Sequence, residues 1–105
     1  MSYFIKKDKR YITSGVQSSI PFSIQLLMWQ CIDELNESDV EIDYLQVFRF
    51  EYKTKGLVMI HTQEVPQYKK EYILEAKEEY NLLGEVKVFA ICDVTHSTIL
   101  LASEY

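Results

Sequence analysis

With 105 residues the chain has room for one domain, and 48% hydrophobic content with 13% aromatic residues gives that domain a sizeable core. A net charge of −5 argues against nucleic acid as a partner, because such binding rests on Lys and Arg neutralising phosphates. No run approaches the roughly 18 apolar residues of a membrane span, and three Gly and two Pro are too few for a linker or low-complexity segment.

The first ten residues read as a flexible, solvated arm (1–10), followed by a single domain at 11–105. The arm holds the one basic run, Lys6-Lys7-Asp8-Lys9-Arg10, and no apolar h-region, so a signal peptide is not expected. Tyr11-Ile12-Thr13 is a short β-prone run ended by Ser14-Gly15.

The pattern then predicts the main helix, over 18–35. Ser18 or Ser19 serves as its N-cap, and Pro21 sits in the first turn, where a missing donor costs nothing. At about 100° per residue, Ile20, Ile24, Leu27, Met28, Cys31 and Leu35 share one apolar stripe suited to a sheet. Phe22, Leu26 and Trp29 fall on roughly the opposite side. A helix apolar on two sides needs a second cover: its own chain, a second copy or a partner. Asp33 and Glu34 stand at the wrong end for the helix dipole, so packing has to hold the helix. Asn36-Glu37-Ser38-Asp39 is a polar exit loop.

A strand is expected over 42–52, with Tyr44, Gln46, Phe48, Phe50 and Tyr52 on one face. Lys53-Thr54-Lys55-Gly56 reads as a hairpin loop, with Gly56 free to take positive φ. The return strand, 57–65, places Leu57, Met59, His61 and Gln63 on one face and ends at Pro66. Asp43 and Glu64, with Gln46 and Gln63, are candidate cross-strand polar pairs, or the lining of a polar groove. The segment 68–83 fits both periods, and divides into a strand over 68–74 and a short helix over 75–83 stopped by Gly84. The nearly continuous apolar runs 86–92 and 98–102 are expected as strands covered on both faces, joined by Asp93-Val94-Thr95-His96-Ser97. The sum is an α+β domain. It has a mostly antiparallel sheet of four to six strands, one main helix packed on a face and a second short helix.

Several stretches together resemble a bacterial family of small proteins, domain of unknown function 960. They are Thr13-Ser14-Gly15-Val16-Gln17, Ile20-Pro21 with Gln25, Trp29-Gln30-Cys31-Ile32-Asp33, and Asp43-Tyr44-Leu45-Gln46-Val47-Phe48. Gln63-Glu64-Val65-Pro66-Gln67-Tyr68 and the end from His96 to Tyr105 complete the set. The resemblance covers 11–105 and implies a soluble bacterial protein. It brings no catalytic roles with it. The family pattern is richer in Asp and Gly where this chain has Cys92-Asp93-Val94, so an acidic site there is weaker here.

Two functional readings follow from the residues. In the first, a small cytosolic module binds a protein partner or a second copy of itself through Phe22, Leu26 and Trp29, since interfaces favour aromatic anchors with little charge at the centre. In the alternative, a small enzyme or a metal- or ligand-binding protein, Asp93 orients His96 beside the hydroxyl of Ser97 for general-base, metal or ligand chemistry, with His61 as a further donor. Flanking glycines of a nucleophile elbow are missing, and Asp and Ser at strand ends ordinarily cap turns. The pattern therefore favours interaction over catalysis. Cys31 and Cys92 lie in apolar patterns without metal-type spacing, so free thiols in a reducing cytoplasm are expected, with neither a metal nor another cofactor.

Overall fold

The computed structural model describes residues 3–5, 7–93 and 95–105. The chain forms β1 (Arg10–Ile12), α1 (Ser14–Ser19), α2 (Phe22–Glu37), β2 (Leu45–Lys53), β3 (Gly56–Gln63), β4 (Tyr68–Ile73), β5 (Lys87–Cys92) and β6 (Ser97–Leu101). Single 3-10 turns occur at Lys7–Lys9, Glu78–Tyr80 and Ala102–Glu104. The six strands make one sheet in the order β1-β6-β5-β2-β3-β4. Only β1 with β6 is parallel; every other neighbouring pair is antiparallel. This is the expected α+β class.

The expected helix over 18–35 is two helices. Pro21 explains the break. Its ring disfavours helical geometry in the residue before it, and Ile20 is extended, at φ −113° and ψ 121°. Ser18 and Ser19 therefore end α1 rather than capping α2, and Pro21 itself is the N-cap of α2. Thr13 caps α1 by accepting from the Val16 N–H at 3.2 Å. The Gln25 amide donates to the Ile20 carbonyl at 2.8 Å and closes the gap.

Along α2, Ile24, Met28, Cys31 and Leu35 are buried as the stripe predicts, Ile32 and Gln25 join them, and Leu27 is half-buried. This stripe lies on the face of the sheet made by Phe48, Phe50, Leu57, Met59, Val88, Ala90 and Ile99. Helix charges have local partners: Lys70 on β4 reaches Glu34 at 3.6 Å. In the segment expected as an arm, Phe4 is 2% exposed within the core, and Arg10 opens β1. Its Lys6 lies outside the described residues.

The β2–β3 hairpin closes as expected, with Lys53 opposite Gly56 and Gly56 at φ +115°. Three expectations are corrected. The helix over 75–83 shrinks to one 3-10 turn, because the chain must cross from β4 back to β5 on the far side of β2. Gly84, expected as a helix stop, is required instead by close approach: a Cβ there would stand 2.3 Å from the Tyr52 ring. Strands β5 and β6 are covered on the helix side by the core and not on both sides. Phe89, Ile91 and Leu100 on their outer face are only half-buried. Further along that face, Val58 and Ile60 are 3% and 1% exposed. Ile60 lies between Arg49 and Glu71 in the strand register, whose long side chains flank it.

Candidate functional site

The helix ridge is built from residues four and three apart. Phe22 and Leu26, one turn apart on α2, are 70% and 53% exposed. The crossing segment brings a third apolar side chain, Leu82, which is 89% exposed. Phe22 and Leu82 line one groove of about 600 Å³ with Pro21, Gln25 and Glu79. The Ser23 hydroxyl and the Tyr80 hydroxyl, 2.7 Å apart, tie the crossing segment to the first turn of α2.

Trp29, the third residue of the expected ridge, is covered by its own chain. The Arg10 guanidinium lies 4.7 Å from its ring centroid. Arg10 also donates to both carboxylate oxygens of Asp33, Nη1 reaching Oδ2 at 3.3 Å, and to the Phe4 carbonyl at 3.2 Å. Lys7 approaches the same carboxylate at 3.8 Å. The basic run thus spends two of its cations on the helix. Sequence reading missed this clamp because nothing in local spacing links residues 10 and 33.

The second candidate divides in two. At the β5–β6 turn, the Asp93 carboxylate accepts from the N–H groups of Thr95 (2.7 Å) and His96 (2.9 Å) and from the Thr95 hydroxyl (2.9 Å). Those bonds hold its carboxyl below the usual carboxylate range. His96 Nδ1 lies 2.8 Å from the Thr95 hydroxyl and 3.3 Å from Asp93 Oδ1. The imidazole packs edge-on to Tyr11 and lines a groove of about 490 Å³ with Lys9 and Thr98. Ser97 is buried in β6, while Asp93 is exposed and His96 lines the outer groove. The turn thus brings Asp93 and His96 together and leaves Ser97 out; Val94 lies outside the described residues.

His61 belongs to a different place. It lies on β3, facing the helix layer and fully buried. Its ring stacks on Phe48 at 4.5 Å and meets Tyr68 edge-on. Nε2 is 2.7 Å from Gln46 Oε1, an acceptor, so Nε2 carries the proton and Nδ1 has no partner among the described residues. Burial, with Lys70 across the strand register adding to it, pushes the imidazole down to about 4. Gln46 donates onward to Gln63 at 2.8 Å and to the Asp43 carbonyl. Gln63 accepts from the Asp43 N–H and donates to the carbonyls of Glu41 and Pro66. The expected Gln46–Gln63 pairing is therefore real, and its work is to fasten two loops. Cys31 and Cys92 are free thiols, and burial pushes Cys31 up to about 11. No group of three His, Cys, Asp or Glu placed to hold a metal ion occurs among the described residues.

Residues 9–104 match the family described as Staphylococcal protein of unknown function, domain of unknown function 960. The chain belongs to this family. The resemblance drawn from the motifs above is thereby shown over nearly the whole chain, and the family carries no assigned function. A crystal structure of a protein of unknown function from Enterococcus faecalis has the same fold, at TM-score 0.83 and 24% identity. The likeness covers 100% of this chain and 97% of that one. No curated protein matches. Among the described residues no helix is long and apolar enough to cross a membrane.

Proposed function

We propose that this member of the family is a small interaction module that self-associates through the α2 ridge at Phe22 and Leu26, extended by Leu82. The exposure of these three large apolar side chains carries the reading, with Phe22 and Leu82 lining one groove and Leu26 one turn along α2 from Phe22. Burying each contributes roughly 1.5–3 kcal/mol, and one patch facing itself gives a closed two-fold dimer. Trp29 plays a supporting part, holding Arg10 at the end of the ridge. The setting is the cytoplasm, where Cys31 and Cys92 stay reduced. Sedimentation velocity over a concentration series tests the reading. The wild type moves from monomer to dimer, and the Phe22→Asp, Leu26→Asp double variant stays monomeric with an unchanged circular dichroism spectrum. A wild type that sediments as a monomer throughout overturns it.

The exposed Asp93–His96 pair beside Tyr11 supports a second reading, ligand binding at the β5–β6 turn without a nucleophile. His96→Ala separates the two, because it leaves the dimer intact and removes only the ligand.

A further inference from the structure

The outer face of the sheet carries a second feature, unconnected with the helix ridge. Arg49 on β2 and Lys87 on β5 stand directly opposite each other, and both are exposed. Like charges directly opposite across antiparallel strands repel. Lys7, Arg10, Lys53, Lys69, Lys70 and Lys77 each have a carboxylate partner. Arg49 and Lys87 have none among the described residues, and of the cations without one (Lys9 and Lys55 are the others described) they are the two that stand opposite each other in the sheet. Lys87 Nζ lies over the Phe89 ring instead, at 5.5 Å.

A groove of about 380 Å³ runs from this pair between β2 and β3. Its floor is Val47 and Leu45, with the Thr62 hydroxyl directly across from Val47 and the Gln67 amide farther along. Glu64 also lines it. Extending the β2–β3 register puts Glu64 level with Leu45, four residues from Arg49. That is about 13 Å along the strands, too far for Glu64 to neutralise the pair. Nearer carboxylates on this face are Glu51, two residues along β2 from Arg49, and Glu71, across Ile60 and bonded to Lys53 and Lys69. Neither lines the groove, whose lining is cationic at one end, apolar in the middle and acidic at the far end.

We propose that this groove binds an anionic ligand. A carboxylate or phosphate group is held between the Arg49 guanidinium and the Lys87 ammonium, and the apolar remainder lies along Val47 and Leu45. The guanidinium supplies a planar pair of donors and the ammonium a point charge. The anion replaces their mutual repulsion with attraction, which accounts for two opposed cations in an acidic chain.

Titration of the isotopically labelled full chain by NMR tests this, with sodium hexanoate in one arm and inorganic phosphate in the other, at fixed ionic strength. Saturable shifts at the amides of Val47, Arg49, Thr62 and Lys87 are expected, with affinity at least tenfold weaker in Arg49→Gln. Tighter binding of hexanoate identifies a carboxylate with an apolar tail, and tighter binding of phosphate a phosphate ester. Shifts that fail to saturate in both arms, or equal affinity in Arg49→Gln, overturn the proposal. Without ligand, Arg49→Gln melts at or above the wild-type midpoint; a midpoint several degrees lower shows that the pair holds the sheet together and also overturns it.

Discussion

Arg10 covers Trp29. Its guanidinium carbon stands 4.7 Å from the indole centroid while its nitrogens bond the Asp33 carboxylate one turn further along α2. One residue of β1 thereby closes part of the helix side that faces away from the sheet, and fixes where the remaining apolar ridge ends. Phe22 and Leu26 lie beyond its reach and stay exposed.

Arg10→Ala uncovers the indole and leaves half-buried Asp33 with only Lys7, at 3.8 Å, for a partner. A stacked cation contributes about 0.5–2 kcal/mol and bonds to a charged group about 1.5–3 kcal/mol, and these overlap. The expected loss is about 2 kcal/mol in urea denaturation, with Trp29 emission shifted to the red. Arg10→Lys recovers less than half, because a lysine cannot bond both oxygens and stack at once.

His61 makes stability pH-dependent. Its folded value of about 4 lies below the ordinary 6.5, so the unfolded chain binds the proton more readily. The contribution is fully present above pH 6.5 and is lost as pH falls towards 4. Between pH 7 and pH 5 the expected loss is about 2 kcal/mol. Denaturation at both pH values checks it, and His61→Gln removes most of that difference. The depressed carboxyls of Glu71, Asp93 and Glu104 act in the same direction at lower pH.

Gln63→Leu takes the acceptor from the Asp43 N–H and from Gln46, and the donor from two loop carbonyls. Unpaired buried groups cost about 1–3 kcal/mol each, partly relieved here because the loops can move. A loss of about 2–4 kcal/mol is expected. Hydrogen exchange should quicken in residues 41–43 and 64–67 while α2 stays protected.

Gly84→Ala drives a Cβ into the Tyr52 ring and breaks the bond from the Tyr52 hydroxyl to the Asn81 carbonyl. The ring is exposed and can swing outward, so the cost is about 1 kcal/mol. In a Tyr52→Ala background the same change is neutral, which thermal melts of the four variants resolve.

The sheet was legible in the sequence wherever period-two alternation was clean. Phe48 and Phe50, and Met59 and His61, lie on the faces their spacing predicts. The apolar stripe of α2 was legible for the same reason. What local pattern hid is what depends on long-range contact. Ile20-Pro21 splits one apparent helix into two, although a pre-proline rule could have found the break. The Arg10–Asp33 clamp and the burial of Phe4 join distant parts of the chain, so residues 1–10 carried no signal of their role beyond charge. The four residues of the polar candidate looked alike on paper. The fold sends His61 and Ser97 into the interior and leaves Asp93 and His96 at the outer turn.

The most direct test of the interaction reading is an isotope-filtered NOE measurement on a one-to-one mixture of labelled and unlabelled chains. Cross-peaks between chains from the Phe22 ring to the methyls of Leu26 or Leu82 are predicted. Their absence at concentrations near 1 mM, or cross-peaks that come instead from Phe89 and Leu100 on the outer sheet face, would contradict self-association through the α2 ridge.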